Sequence, residues 1–478
     1  MKRRVLSVAS ECVPLLKTGG LADVVGALPK ALAVHGWDMR VLMPAYPGLA
    51  ETMKRPKVVW TDTDLFGGPA QVLGGRVEGI DVLLLDAPHL YARDGGPYSD
   101  DSGDYADNPE RFAALCWAAA EIARAGLSDG WRPEVVHAHD WQGGLAPVYL
   151  RQAGVEDVRS VITVHNIAFQ GRAGADKLDA LRLRPDDFTS EGFEFWGDIS
   201  ALKAGLVMAD AITTVSPTYA NELMRGEFGM GLEGVLQARA GVLHGILNGV
   251  DTDVWSPDTD PAIHPYSART LSEKRKNRAA LIKEFGLGPV PGPLAVVVSR
   301  LTTQKGLDLL PDRLAEFTWR GGGLVVLGSG GPEIEMALRH QADLNPRRIG
   351  IRTGYDEALS HRIFAGGDAV LVPSRFEPCG LTQMYGLRYG TVPLVAATGG
   401  LADTVIDANP AAVSAGVATG IVFHTTDALG LEQALRRLIA LYDDTKTWRQ
   451  LQRNGMKAEL DWTRSSAAYA TLYEGLFE

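Results

Sequence analysis

The sequence TGGLAD occurs twice, at residues 18–23 and at residues 398–403, and this repeated stretch indicates the fold. Each copy follows a short apolar run and precedes or begins a segment with helical character. Glycines at such a turn let backbone N–H groups come close to a ligand, while the first turn of a helix favours negative charge. Ligands of open α/β sheets bind beyond the carboxyl ends of the strands. The repeat therefore predicts two α/β sheets, each with a candidate ligand site at that edge.

Short apolar runs alternate with longer helical patterns in both halves of the chain, as in βα units that wind a parallel sheet. The runs in the first half are VLSVA, MRVLM, DVLLLD, EVVHAH, SVITVH and AITTVS, and those in the second half are LAVVVS, GLVVLG, RIGIRT, AVLVPS, VPLVAA and GIVF. Several are apolar at consecutive positions, which is typical of strands covered on both faces. We expect an α/β protein with two doubly wound, Rossmann-like parallel sheets that face a deep cleft.

The chain is too long for one ordinary hydrophobic core, since it has 478 residues and single cores rarely exceed about 300. Between its halves lies ILNGVDTDVWSPDTDPAIHPYS, in which Asn-Gly, prolines and aspartates interrupt any periodicity. We place the hinge near Asn248 to Asp251. The expected domains are therefore residues 1–247 and 248–456, with a final helical segment at 457–478. In the second domain, Asp427 is the expected N-cap of a helix with a leucine face.

Net charge and composition exclude several classes of function. The formal net charge is −11 and 46% of the residues are hydrophobic, which argues against nucleic acid or an anionic membrane as a partner and favours a soluble globular protein. No apolar stretch is long enough to span a membrane, and we interpret MKRRVLSVAS as a first strand rather than a secretory signal. The three cysteines, Cys12, Cys116 and Cys379, form no disulfide or metal pattern, so a cytoplasmic, reducing location is expected.

Three cations lie in loops that follow predicted strands. Lys17 directly precedes the first TGGLAD copy, and Arg300 and Lys305 follow the run LAVVVS. A lysine beside open backbone amides suits a phosphate oxygen, and an arginine with a lysine can neutralise a diphosphate leaving group. Solvated surface charges are the alternative interpretation for each of them.

A carboxylate follows another predicted strand, in the sequence SRFEPCGLTQ. Glu377 could accept hydrogen bonds from sugar hydroxyls, and the backbone amides after Pro378 could hold phosphate. Cys379 is expected to be a small packed residue rather than a nucleophile, because no histidine adjoins it in the sequence.

Histidines in VVHAHDWQGG and TVHN provide a competing hypothesis. His137 and His139 would share one face of a strand, and His165 would end the next strand, so that these residues with Asp140 could hold zinc in a hydrolase. The spacing does not match the HxHxDH pattern of metal hydrolases, because Trp141 follows Asp140. One histidine in the core and another that contacts a substrate is the favoured interpretation.

Six stretches, in the same order along residues 17–405, resemble the bacterial glycogen synthases and plant starch synthases. They are KTGGLADVVGALPKAL, VVHAHDWQGG, TVHNIAFQG, SRLTTQKG, RFEPCGLTQMYGLRYG and ATGGLADTV. The resemblance implies a retaining glycosyltransferase of the GT-B type, which extends α-1,4-glucans from a nucleotide sugar. It also implies that the second domain holds the nucleotide, that the glucan enters on the side of the first domain, and that the last helix returns to the first domain.

The same resemblance implies roles for individual residues. Contacts with the diphosphate or the transferred glucose, and hence catalytic roles, fall to Lys17, His165, Arg300, Lys305 and Glu377. The residues expected to bind the nucleotide sugar are Gly19, Gly20, Tyr355, Cys379, Gly380, Leu381 and Thr382. Among them, Tyr355 would be the platform for adenine. The glucose and acceptor side is assigned to Asp23, Asp140 and Asn166.

The resulting hypothesis is transfer of glucose from ADP-glucose to glycogen, with no cofactor and no metal. A metal-dependent hydrolase that uses His137, His139 and His165, or a non-catalytic glucan-binding protein, are the alternatives.

Overall fold

A computed structural model of the chain describes residues 3–478. It comprises two compact units, the first formed by Met1–Gly249 with Trp462–Glu478 and the second by Val250–Asp461. Within the described residues, no helix is both long enough and apolar enough to cross a membrane.

The first unit is built on a nine-stranded sheet in the order β14-β13-β9-β8-β1-β2-β5-β4-β3. Two small sheets, β10-β12-β11 and β6-β7, accompany it. The strands are β1 Arg3–Val8, β2 Trp37–Pro44, β3 Lys57–Asp62, β4 Ala70–Val77, β5 Ile80–Asp86, β6 Ser99–Asp100, β7 Gly103–Asp104, β8 Val135–His139, β9 Arg159–Val164, β10 Arg172–Gly174, β11 Glu194–Phe195, β12 Asp198–Ser200, β13 Ala211–Thr214 and β14 Leu243–Gly245. The helices are α1 Gly20–Ala33, α2 Pro88–Tyr91, α3 Asn108–Ala125, α4 Asp140–Gly143, α5 Ala146–Gln152, α6 Ala201–Met208, α7 Pro217–Leu223 and α8 Glu233–Ala238.

One edge of this sheet departs from the predicted parallel arrangement. Strand β4 runs antiparallel to both β5 and β3. Glu78 and Gly79, the two residues between β4 and β5, both have positive φ, which is the geometry of a type I′ hairpin turn. The pair Glu-Gly between two apolar runs was therefore a hairpin signal, although the parallel pattern of the neighbouring strands obscured it.

The second unit contains a six-stranded sheet in the order β17-β16-β15-β18-β19-β20, and all of its strands are parallel. The strands are β15 Leu294–Val298, β16 Gly323–Leu327, β17 Ile349–Arg352, β18 Ala369–Val372, β19 Val392–Ala396 and β20 Ile421–Phe423. The helices are α9 Lys274–Glu284, α10 Leu314–Trp319, α11 Pro332–Leu344, α12 Glu357–Gly366, α13 Thr382–Arg388, α14 Gly399–Thr404, α15 Pro410–Ala415, α16 Ala428–Asp443 and α17 Thr445–Lys457. This strand order is that of a Rossmann sheet, so the predicted fold class is confirmed.

Helix α16 begins where the sequence predicts it. The Asp427 side chain accepts a hydrogen bond from the Gly430 amide. Leu431, Leu435 and Leu438 are buried in the core of the second unit. A capping carboxylate and a leucine stripe were together sufficient to locate this helix.

The last helix, α18 at Trp462–Gly475, packs in the first unit, where Tyr469 and Tyr473 join the core beneath α1 and the central strands. The second unit extends to Asp461 rather than ending at residue 456. Helix α17 continues to Lys457, and the Val250 amide donates to the Leu460 carbonyl at 2.7 Å. That bond ties the segment before α18 to the first residue of the second unit.

Candidate active site

In each unit the strand order reverses at one point, and most of the predicted site residues follow the strands that flank it. Tyr355 follows β17 instead, and His165 and Asn166 follow β9. In the second unit that point lies between β15 and β18. Arg300 and Lys305 lie in the loop after β15, and Glu377 lies in the loop after β18. Two loops that diverge from such a point leave room for a ligand between them.

Lys305 and Glu377 form a close ion pair in this half-site. Lys305 Nζ donates to Glu377 Oε1 at 2.8 Å and to Oε2 at 2.6 Å, and Ser374 Oγ donates to Oε2 at 2.8 Å. The side chains are 18% and 8% exposed. An ammonium group carries three N–H donors, so Lys305 retains one donor after both bonds to the carboxylate.

The other predicted residues of the second unit differ in exposure. Arg300 is exposed and its side chain has no hydrogen-bond partner between residues 3 and 478. Tyr355, after β17, is 74% exposed and donates its hydroxyl to Glu357 at 2.7 Å. Cys379 is buried, and the half-buried Thr382 begins α13 with its hydroxyl 3.5 Å from the Val298 carbonyl.

The second TGGLAD copy packs against the Glu377 loop. Gly400 N donates to the Pro378 carbonyl at 3.1 Å. Gly399 has φ of +44°, and a Cβ atom there would overlap the Glu377 carbonyl oxygen, while one at Gly400 would overlap the Cys379 carbonyl oxygen. The expectation of a ligand at this copy is therefore wrong for the Gly400 amide. Its glycines allow α14 to pack against the loop that carries Glu377.

The first unit has the corresponding arrangement between β1 and β8. The loop after β1 leads to Lys17, whose Nζ lies 2.8 Å from Asp23 Oδ1 on α1. Buried Glu11 holds this loop, because its carboxylate accepts hydrogen bonds from the Thr18 amide and hydroxyl and from the Tyr98 hydroxyl. Lys17 is thus paired with Asp23, and the next residue, Thr18, is held by Glu11.

The glycines of the first copy contrast with those of the second. A Cβ atom at Gly19 or Gly20 would have no protein atom within 4 Å. Gly19 also has an extended backbone, with φ of −155°, which any residue adopts. Neither packing nor conformation therefore demands glycine at position 19, and the open space above this loop is available to a ligand.

Asp140, at the end of β8, is held in an unusual state. It is buried, and its φ of +51° lies in the left-handed region, where a residue other than glycine is strained. Its Oδ1 accepts hydrogen bonds from the His165 amide at 2.7 Å and the Asn166 amide at 3.3 Å. Burial raises the pKa of its carboxyl group to about 7, although these two amides oppose the rise. Asp140 thereby ties the end of β8 to the end of β9.

The three histidines are buried and hydrogen-bonded, His137 in one set of contacts and His139 with His165 in another. His137 contacts Thr163 Oγ1 at 2.6 Å through Nε2 and the Tyr473 hydroxyl at 2.7 Å through Nδ1. His139 Nδ1 lies 3.0 Å from His165 Nε2. Among residues 3–478, no group of three or more His, Cys, Asp or Glu side chains has the arrangement of a metal site. The zinc hypothesis fails because both ring nitrogens of His137 are already occupied.

Burial of the histidines predicts sensitivity to acid. Burial lowers the pKa of His137 and His165 to about 3 and that of His139 well below its usual value. Between these values and the unfolded pKa near 6.5, the unfolded chain binds more protons, so stability falls as pH falls below about 6.5. The contribution of Asp140 to the pH dependence of stability has the opposite sign, since its raised pKa favours the folded state as pH falls from 7. We expect the unfolding free energy to fall as pH falls from about 6 to 4, because the three histidines with lowered pKa outweigh the one carboxyl group with raised pKa.

Thermal unfolding between pH 7.5 and 5 measures this effect. His137→Gln, which keeps a neutral donor and acceptor, should show a shallower pH dependence than the wild type. His35→Gln alters an exposed histidine and should keep the wild-type slope. An unchanged slope in His137→Gln would contradict the assignment.

Comparison with known proteins identifies the family. Residues 4–238 match the starch synthase catalytic domain, and residues 282–457 match glycosyl transferases group 1. The chain is 61% identical over 473 residues to a glycogen synthase of Cereibacter sphaeroides, with 99% of this chain and 98% of the relative covered. A glycogen synthase of Paracoccus denitrificans is 58% identical over 474 residues, which is 99% of each chain. The chain belongs to the starch and glycogen synthase family.

Solved structures agree with this family. The catalytic domain of starch synthase IV from Arabidopsis thaliana, bound to ADP and acarbose, has a TM-score of 0.89 and 32% identity, and covers 100% of this chain and 99% of its own. Sucrose-phosphate synthase from Thermosynechococcus elongatus, at a TM-score of 0.62 and 19% identity with 99% of each chain covered, shares the fold. The protein is therefore a GT-B glycosyltransferase, and neither a hydrolase nor a non-catalytic binding protein receives support.

Several supporting residues of this starch and glycogen synthase site were missed by the sequence analysis. Glu11 fixes the Lys17 loop, Ser374 fixes Glu377, and Gln383 Nε2 donates to the carbonyls of Cys379 and Gly380 at 3.1 and 2.7 Å. Glu11 follows the first strand, as Glu377 follows its own strand, so its position was a usable signal. Ser374 also follows its strand, but a serine there is common in any loop, and Gln383 lies on α13, where a glutamine is equally common.

Proposed function

We propose that the protein transfers glucose from ADP-glucose to the 4-hydroxyl at the non-reducing end of an α-1,4-glucan such as glycogen, with retention of the α configuration. The observation that carries this proposal is the Lys305–Glu377 pair at the reversal point of the second sheet, in a chain whose starch synthase neighbour was solved with ADP and acarbose. The name of the Cereibacter sphaeroides relative supports glycogen as the product.

In the second unit, Lys305 and Arg300 neutralise the diphosphate as the glycosidic bond breaks. Arg300 is exposed and its side chain has no hydrogen-bond partner within the described chain. Its guanidinium can therefore donate two parallel hydrogen bonds to phosphate oxygens. Lys305 contributes its remaining N–H donor. Fixed cations stabilise developing negative charge without reorganisation during the reaction. Tyr355 serves as the platform for adenine, and the segment from Cys379 to Thr382 contributes backbone contacts.

Glu377 holds the transferred glucose and orients Lys305. Three hydrogen bonds from Lys305 and Ser374 occupy its two oxygens, which weakens it as a nucleophile. We therefore assign retention to front-face attack, in which a departing phosphate oxygen takes the proton of the glucan hydroxyl as the new C–O bond forms and the bond to ADP breaks.

In the first unit, Lys17, Gly19 and Gly20 bind the donor diphosphate beside α1, with Asp23 holding Lys17. Asp140, His165 and Asn166 contact the glucose and the acceptor. The open space above Gly19 and Gly20 and the strained, amide-bonded Asp140 support this assignment.

Replacing Asp140 by asparagine tests its charge separately from its structural role. Asparagine tolerates positive φ and can accept the same two amide hydrogen bonds, so Asp140→Asn should fold with little loss of stability. We expect kcat for glucose transfer to fall by on the order of 10²-fold. Asp140→Ala should lose activity and also unfold at lower temperature. Wild-type kcat in Asp140→Asn would remove Asp140 from the reaction.

The test of function is glucose transfer to glycogen from ADP-glucose and UDP-glucose in parallel, with EDTA present. Chain extension from ADP-glucose that persists in EDTA supports the proposal. Transfer from UDP-glucose alone would overturn the donor, and transfer from neither would overturn the function. Proton NMR of the first product formed gives the anomeric configuration of the new bond.

A further inference from the structure

Three buried polar side chains form a chain that ends at His165. Ser7 on β1 lies beside His139 on β8, with 3.0 Å between Ser7 Oγ and His139 Nε2. His139 Nδ1 in turn lies 3.0 Å from Nε2 of His165, the residue after β9. Ser7 and His139 are fully buried, and His165 is 9% exposed. Because β1, β8 and β9 are adjacent in the sheet, the backbone fixes this order.

The positions of the protons follow from the available partners. Burial keeps both imidazoles neutral, so each ring has one donor nitrogen and one acceptor nitrogen. The Ser7 hydroxyl has no partner other than His139 within residues 3–478. A buried donor without an acceptor is costly, so the Ser7 O–H donates to His139 Nε2. The proton of His139 is then on Nδ1, where it donates to His165 Nε2.

We propose that Ser7 and His139 hold His165 as the tautomer protonated on Nδ1. That nitrogen has no hydrogen-bond partner among the described residues, and it therefore presents an N–H donor. The inference deepens the proposed function, in which the donor meets an oxygen of the bound sugar. His139 and Ser7 are positioning residues, because they act through the orientation and protonation of His165.

Two-bond proton–nitrogen correlation spectra of protein labelled with ¹⁵N-histidine test the tautomer directly. The set of ring signals that disappears from the spectrum of His165→Gln is the set that belongs to His165. The expected result is a protonated Nδ1 and an unprotonated Nε2 in the wild type. Ser7→Ala should convert part of the population to the other tautomer. A protonated Nε2 in the wild type, or an unchanged tautomer in Ser7→Ala, would overturn the proposal.

Kinetics supply the functional measurement. Ser7→Ala should lower kcat/KM for ADP-glucose by roughly three- to tenfold, the effect of one misplaced hydrogen bond. Its melting temperature should stay within a few degrees of the wild-type value. Ser160→Ala is the matched control, since Ser160 is also a buried serine on the sheet but bonds to Asp210. Equal losses in both variants would overturn the positioning role. The spectra need no sugar nucleotide, so a failed ADP-glucose assay and a failed tautomer assignment are distinguishable.

Discussion

Lys305→Ala is expected to lower kcat for glucose transfer by on the order of 10³-fold. The substitution removes a cation proposed to stabilise the departing diphosphate. It also removes the charged partner of Glu377, whose side chain is only 8% exposed. A buried carboxylate without a partner strongly destabilises the folded protein. Steady-state kinetics with ADP-glucose and glycogen, together with a melting curve, measure both effects.

A second substitution separates the two causes. Glu377→Gln removes the buried charge and keeps the shape of the side chain. Lys305→Ala/Glu377→Gln should therefore regain the melting temperature that Lys305→Ala loses, without regaining kcat. If the double variant also recovers kcat, Lys305 acts only by neutralising Glu377.

Lys276→Ala is the matched control for loss of a lysine–glutamate pair. Lys276 Nζ lies 2.6 Å from Glu273 Oε2, the same separation as in the Lys305 pair, but its side chain is 61% exposed. Exposed pairs contribute little, so activity and melting temperature should both match the wild type. A comparable loss in this variant would mean that the Lys305 effect is not specific to the site.

Gly399→Ala is expected to reduce activity at least 10²-fold, and to lower the melting temperature of the protein. The added Cβ would overlap the Glu377 carbonyl oxygen at a φ of +44°, where an L-residue is also strained by about 1 kcal/mol. Relief of the overlap requires movement of the loop that carries Glu377. A displacement of about 1 Å in a catalytic group costs on the order of 10² in rate. Activity assays and calorimetry of the purified variant measure the two consequences.

Gly19→Ala is the corresponding change in the first TGGLAD copy, and its expected result differs. No protein atom lies within 4 Å of the added Cβ, so the melting temperature should be unchanged. The KM for ADP-glucose should rise, because the methyl group enters the space proposed for the donor. If both glycine variants lose stability equally, the distinction between a ligand-facing and a packing-facing copy is wrong.

Much of the fold was predictable because its signals are local. Every predicted strand is present, and the reversal point of each sheet brings the candidate residues beyond the carboxyl ends of the flanking strands: Lys17, Arg300, Lys305 and Glu377 on loops and Asp140 at the start of α4. The antiparallel edge of the first sheet was not predicted, since hairpin pairing there depended on a Glu-Gly turn with two positive φ values.

Interactions between distant residues were beyond sequence reasoning. The histidine pattern of β8 was compatible with zinc, and only the contacts of His137 with Thr163 and with Tyr473, the latter 336 residues away, identified it as part of the core. Likewise, identical letters in the two TGGLAD copies concealed different roles. The Gly400 amide bonds to a neighbouring loop, whereas Gly19 and Gly20 face open space.

The sequence by itself determined the two α/β sheets, apart from the antiparallel edge of the first, together with the family and the loops that carry the candidate site charges. Each of these follows from periodicity, glycine placement and short motifs, which act over a few residues. Only the tertiary structure decided that Lys305 pairs with Glu377, that Glu11 fixes the Lys17 loop, and that His139 lies between Ser7 and His165. Those properties depend on burial and on hydrogen-bond partners that the fold brings together. Lys305 and Glu377 are 72 residues apart, and Ser7 and His139 are 132 residues apart along the chain.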